Sequence, residues 1–258
     1  MPELIETGDV DAARIGYPAV REAFNETLGL CVDKLTRAEL TLAQDVLGIA
    51  GLDGDTPGLE DMLADAALYS TKGPSGIRAG RRRAIDRIAP KLRFKNDPLK
   101  SFIAARLPAA VYSLWEIGEA QVAGGVLARD LLNDSREIHI MDHGLAAHAA
   151  GQGEKLIAGR FLNLGPWHIG FGIVRTIRKS EAVAVRLACS QNGPDRGLRG
   201  NLHELIYPAQ LHEENIVMTA LEQVIMPVAF AIDAGMIDVD ALLADFGGLF
   251  DDKTGDMR

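Results

Sequence analysis

Apolar residues first recur at helical spacing. Over residues 18–35, Val20, Phe24, Leu28, Leu30 and Cys31 fall close to one helical face. Thr36-Arg37-Ala38-Glu39 reads as a capping box: the hydroxyl accepts a first-turn N–H while the glutamate reaches back. It opens a second helix through Leu40, Leu42, Val46, Leu47 and Ile49, which Gly51 ends. After a loop over residues 52–58, Met62, Leu63, Ala66 and Leu68 mark a short acidic helix over residues 59–69. The break over residues 71–76 precedes a basic helix over residues 77–88. Asp97-Pro98, a capping side chain followed by proline at the first helical position, starts another over residues 99–107.

The period then changes. Residues 111–117 are rich in strand formers, and residues 121–128 read as a second strand with a bulge at Gly124-Gly125. Asn133-Asp134-Ser135 is a hairpin turn, and residues 137–142 alternate. Residues 155–162 form a fourth strand, and residues 167–177 a fifth after Gly165-Pro166. Short strands, tight turns and glycines that let strands bend at corners predict a small antiparallel barrel. Helical patterning returns at residues 180–190. A long helix over residues 213–234, kinked at Pro227, and a last one ending near Phe246 follow a polar loop over residues 191–201. The apolar run over residues 224–232 reads as core or as a homodimer interface.

The pattern thus predicts an α+β fold. Its parts are a helical N-terminal part (1–107), a central small antiparallel β-barrel (108–178) and a helical C-terminal part (179–258), packed as one body.

The Trp115-bearing strand, the Gly-Gly pair, Arg129-Asp130-Leu131-Leu132, a turn, an alternating strand and Leu156-Ile157-Ala158 together resemble the small SH3-like β-barrel modules of uncharacterised bacterial proteins. The resemblance covers 50 to 60 of the 258 residues. It implies a barrel and brings no catalytic residue with it.

Composition narrows the function classes. At 258 residues and 47% hydrophobic content the chain can bury a sizeable core, and 24% charged residues is ordinary for a globular protein, which argues against disorder. Aromatics, at 5%, are too few for an extended platform on which bases stack. Two cysteines, Cys31 and Cys189, give neither a disulfide framework nor a cysteine-rich zinc site, and they fit a reducing cytoplasm. The acidic start reads as no signal peptide, and the longest apolar run, at nine residues, falls short of a membrane span.

Charge is the least random feature. Residues 1–71 hold 4 basic and 14 acidic side chains, residues 72–106 hold 11 and 2, and residues 108–258 hold 12 and 20. The basic stretch supplies the anion-binding candidates Arg78, Arg82, Arg83, Arg87 and Lys91, with Arg81, Arg93 and Lys95 nearby. Guanidinium forks near a helix start would converge on phosphate or carboxylate. The competing reading is internal neutralisation, with Glu60, Asp61 and Asp65 of the acidic helix as partners, and a chain of net charge −9 repels generic nucleic acid.

Other motifs are weaker. No metal site is favoured; the alternative one gathers His139, Asp142 and His143, and would need the strand to end at Asp142 for the three to converge. His203-Glu204 lacks a second histidine at H-E-x-x-H spacing and reads as helix-terminus polarity, while Cys31 and Cys189 read as buried small hydrophobes. Residues 73–80 lack the Gly-Lys-Ser/Thr ending of a phosphate loop. There is no G-x-S-x-G elbow and no cofactor fingerprint. The expectation is a cytoplasmic, non-enzymatic binding protein for an acidic protein or nucleic-acid partner, without cofactor or membrane association. The alternative is a metal-assisted hydrolase using the histidine/aspartate cluster.

Overall fold

The computed structural model describes residues 15–49, 56–71, 83–133, 137–151, 155–191, 202–212 and 216–217. The N-terminal helices arise largely as the sequence predicts. Helix α1 (Tyr17–Val32) buries Val20, Phe24 and Cys31. Helix α2 (Arg37–Leu47) opens on the predicted capping box: Glu39 N donates to Thr36 Oγ1 (3.3 Å), and Thr36 N donates to Glu39 Oε2 (2.8 Å). Helix α3 (Leu59–Tyr69) follows. Of the expected basic helix, α4 (Ala84–Ile88) is helical, and residues 77–82 lie outside the described residues. Asp97 accepts Lys100 N at 2.9 Å and caps α5 (Pro98–Arg106).

Five strands then close a barrel: β1 (Val111–Ala120), β2 (Val126–Asp130), β3 (Glu137–Ile140), β4 (Leu156–Asn163) and β5 (His168–Thr176), in the order β1-β2-β3-β5-β4. A seven-residue helix, α6 (His143–Ala149), connects β3 to β4. Because it carries the chain across the barrel end, β4 returns antiparallel to β1, and β5 must then run alongside β3 in the same direction. The expected all-antiparallel barrel is corrected at this one parallel seam. The glycines expected as a bulge form the β1–β2 turn instead, and β2 begins after them.

Both faces of the barrel wall are buried, following the two-residue period of a strand. Trp115, Ile117, Val126, Ile140, Ile157 and Phe161 fill the interior, joined by Leu145 from α6. The alternate residues face the helices. Tyr112, Leu114 and Ala158 pack with α2, α3, α7 (Lys179–Gln191) and α8 (His203–Leu211). Leu162, Ile169 and Phe171 pack with α1, α3, α4 and α5. No helix among the described residues is long and apolar enough to cross a membrane. The expected C-terminal helices beyond residue 217, including the apolar run read as core or homodimer interface, lie outside the described residues.

Candidate functional site

The two ends of the barrel differ. Where β3 ends, α6 covers the barrel and sends Leu145 into its interior. At the other end, where β1, β3 and β5 begin and β2 and β4 finish, a cavity of about 550 Å³ opens, lined by residues of all five strands and of α5. Its floor is Trp115 and Phe161, packed edge to face with ring centroids 5.2 Å apart. Trp115 Nε1 donates to the Gly159 carbonyl (3.1 Å), so the indole is fixed.

The Arg129-Asp130-Leu131-Leu132 stretch builds the rim of this end. Asp130 Oδ1 accepts Ser113 Oγ (2.5 Å), Leu132 N (3.0 Å) and Asn133 N (3.2 Å), and Oδ2 accepts Asn133 Nδ2 (2.7 Å). This carboxylate holds the β2–β3 turn and is saturated by its own chain. Leu131 N donates to Leu114 O, Leu132 is buried among the helices, and Arg129 pairs with Glu116 across β1 and β2. The motif is therefore spent on turn and barrel geometry.

The remaining polar side chains of the cavity are less occupied. Asn163 Oδ1 accepts Gly165 N at 2.7 Å, which leaves its amide N–H groups as donors. The Arg106 guanidinium lies 4.2 Å from the centroid of the Phe102 ring one turn back, and Glu137 is exposed at the start of β3. His168 Nδ1 is buried with no hydrogen-bond partner among the described residues. Burial also holds the His168 imidazole below its ordinary pKa. The folded protein then takes up this proton at lower pH than the unfolded chain does. Stability is accordingly expected to fall as pH drops below about 6.5, and His168→Gln to flatten that decline. Melting temperatures of both proteins between about pH 7 and about pH 5 check this; equal slopes would remove the assignment.

The predicted cations separate into groups. Arg78 and Arg82 lie outside the described residues. Arg83 donates to Asp86 through Nε (2.9 Å) and Nη2 (2.7 Å), and to the Pro108 carbonyl (2.7 Å). Arg87 grips Glu39, with Nη2 at 2.7 Å from Oε2 and 2.8 Å from Oε1. Burial would raise the Glu39 pKa, but its bonds to Arg87 and Thr36 prevail and lower it. Lys100 holds Glu26 (2.5 Å) and Asp97 (3.3 Å). Internal neutralisation thus occupies Arg83 and Arg87, with Glu39 and Asp86 as partners rather than the acidic helix. Lys91, Arg93 and Lys95 stay exposed. They alternate with the half-buried Leu92 and Phe94 where the chain leaves the short 3-10 helix Ala89–Lys91 and enters the turn at Lys95, so all three cations are exposed on one short segment. Among the described residues, Arg93 Nη1 donates to backbone carbonyls only, those of Pro90 and Leu92.

The alternative metal cluster is not assembled. Strand β3 ends at Ile140, and Asp142 becomes the cap of α6, accepting Leu145 N at 2.9 Å. His139 Nε2 donates to the Gly124 carbonyl (2.7 Å), while His143 stands edge-on to Tyr17. Among the described residues no group of three or more His, Cys, Asp or Glu side chains is placed to hold a metal ion. Both cysteines are buried, and desolvation pushes the Cys31 thiol up to about 11, away from reactivity. His203 and Glu204 do begin a helix, but they are buried: His203 Nε2 lies 2.9 Å from Ser70 Oγ, and Glu204 Oε1 accepts Thr71 N at 3.2 Å.

Sequence reasoning missed the largest fully buried side chain of the described residues, which is charged. Arg160, on the helix-facing side of β4, donates to Asp65 of α3 through Nε (2.6 Å) and Nη2 (3.0 Å). Both side chains are 1% exposed. Tyr207 of α8 donates its OH to Asp65 Oδ2 (3.0 Å), and the Arg160 guanidinium lies 3.9 Å from the Tyr69 ring centroid. Burial would depress the Arg160 pKa, but the Asp65 carboxylate outweighs it and raises the pKa. The cluster ties two helices to the barrel wall and lies away from the cavity.

No family model, no curated protein and no solved structure matches this chain.

Proposed function

We propose that the protein is a non-enzymatic, cytoplasmic binding protein whose partner is an acidic segment of another protein, held by Lys91, Arg93 and Lys95. The observation that carries this reading is the exposure of these three cations on one short segment of a chain whose neighbouring Arg83, Arg87 and Lys100 already have carboxylate partners. Cations without a carboxylate partner among the described residues of an acidic protein steer an acidic partner to one place and give register at modest affinity. A polypeptide is favoured over nucleic acid because no aromatic side chain is exposed among the described residues, which removes the stacking that single strands use. The reducing cytoplasm fits two buried cysteines, of which Cys31 has its thiol pushed up to about 11 by desolvation.

The barrel itself is read as a five-stranded Greek key, since β4 returns beside β1 to give the order β4-β1-β2-β3. That architecture is shared with oligonucleotide- and oligosaccharide-binding barrels. Fold alone assigns no ligand.

Titration of the full chain with a glutamate-rich peptide, and separately with an oligothymidylate of equal charge, tests the reading. The peptide is expected to bind, to weaken as salt is added, and to lose at least about tenfold in affinity when Lys91, Arg93 and Lys95 are all changed to Glu. Tighter binding of the oligothymidylate would replace the protein partner with nucleic acid. Equal peptide binding by the triple variant, or no binding of either probe, would overturn the proposal.

A further inference from the structure

The cavity at the uncovered end of the barrel combines features that the acidic-partner reading does not use. Its floor is aromatic, from Trp115 and Phe161, and Ile138 adds an apolar wall. Of the three charged side chains lining it, Asp130 is saturated by four donors of its own chain. Arg106 and Glu137 have no ion-pair partner among the described residues, although they carry opposite charges at one mouth. Two such charges beside an apolar pocket are complementary to a molecule with one positive group, one negative group and an apolar body. His168 Nδ1 adds a buried polar atom with no partner among the described residues, which calls for an explanation. The Asn163 amide adds donors, because its oxygen is already engaged by Gly165 N. A cavity of about 550 Å³ suits a small metabolite.

We propose that this cavity is a binding site for a free α-amino acid with an aromatic or large aliphatic side chain. The carboxylate pairs with Arg106, whose guanidinium is steadied against Phe102, and accepts from the Asn163 amide. The ammonium pairs with Glu137. The side chain enters over Trp115 and Phe161, where burial of its apolar surface supplies the affinity. His168 supplies a hydrogen bond at the wall. The requirement for both charges distinguishes a free amino acid from the N-terminus of a peptide, which brings an ammonium but no adjacent carboxylate.

Calorimetric titration of the full chain with L-phenylalanine tests this. Saturable binding with a dissociation constant of about 0.1–1 mM is expected, a range ordinary for a ligand this small. L-leucine is expected to bind within about tenfold of it, because one apolar side chain replaces another. Phenethylamine, 3-phenylpropanoate and phenylalaninamide each lack one charge and are expected to bind at least about tenfold more weakly. Arg106→Gln should weaken L-phenylalanine at least about tenfold while leaving phenethylamine little changed, and Glu137→Gln should do the converse with 3-phenylpropanoate. Arg106 and Glu137 are not core residues, and circular dichroism checks that both variants remain folded. The triple Lys91/Arg93/Lys95→Glu variant should bind L-phenylalanine like the unaltered chain, so failure of the acidic-partner reading and failure of this one are separable. No saturable binding of L-phenylalanine up to its solubility limit would overturn the assignment. So would analogues that bind as well as the amino acid, or variants that leave its affinity unchanged.

Discussion

Replacing Asp65 with alanine is expected to cost about 3–5 kcal/mol, a large part of the stability of an ordinary domain. The loss comes from what is left behind. Arg160 is 1% exposed, its guanidinium lies among the rings of Tyr69, Tyr112 and Phe171, and Asp65 is its only carboxylate partner among the described residues. Without that carboxylate a full positive charge sits buried and uncompensated, and the Tyr207 hydroxyl loses its acceptor. The aromatic faces recover part of the cost by cation–π attraction, on the order of 2 kcal/mol at best. Exchanging both partners for apolar residues, Asp65→Leu with Arg160→Met, should cost far less than Asp65→Ala alone, because the pair repays little beyond its own desolvation. Denaturant midpoints of the three proteins decide it. If Asp65→Ala lies within about 1 kcal/mol of the unaltered chain, the ion pair does not hold α3 to the barrel.

How far the chain could be read in advance follows the range of the interaction concerned. Thr36 and Glu39 act three residues apart, as do Asp97 and Lys100, so both helix starts were visible in a short window. The barrel strands were visible because alternation and glycine turns are local, although alternation reports only that two faces differ. It does not report what covers each face, and at Arg160 of β4 the cover is α3, from 95 residues earlier. The same limit governs the basic stretch. Asp86 is close enough to suggest a partner for Arg83, but Glu39 reaches Arg87 across 48 residues of chain. Helix α6 has only seven residues, mostly alanine, histidine and glycine, so it carries no period; its one signal is Asp142 three positions ahead of Leu145. Closing five strands that otherwise alternate in direction requires one parallel pair, and missing α6 left its place unforeseen, because α6 carries β4 to the side of β1 and so brings β5 beside β3. Helix α8 was hidden for another reason: Pro208 interrupts it, and its buried start, His203-Glu204, has the composition of a surface. The cavity had no sequence signature, since its lining is drawn from five strands and a helix that only closure of the barrel brings together.

Gly125→Ala is expected to be the second most damaging single change considered, at about 2–5 kcal/mol, and more damaging than Gly124→Ala next to it. Both glycines have positive φ, +96° at Gly124 and +75° at Gly125, and an L-residue there costs about 1–2 kcal/mol in backbone strain alone. Their surroundings differ. A Cβ on Gly124 would meet the Met141 sulfur at 3.3 Å and the His143 ring at 3.4 Å, side-chain atoms that can shift by a few tenths of an ångström. A Cβ on Gly125 would lie 2.0 Å from the Ile140 carbonyl oxygen and 2.8 Å from Met141 Cα, both backbone atoms at the end of β3. Relief there requires β3 to move away from the β1–β2 turn, against its pairing with β2 and its parallel contact with β5. The added cost of overpacking a backbone contact, about 1–3 kcal/mol, falls on Gly125 alone. Urea unfolding of the two alanine variants gives the comparison. Equal midpoints, or a larger loss at Gly124, would mean that the turn does not press against β3 as described.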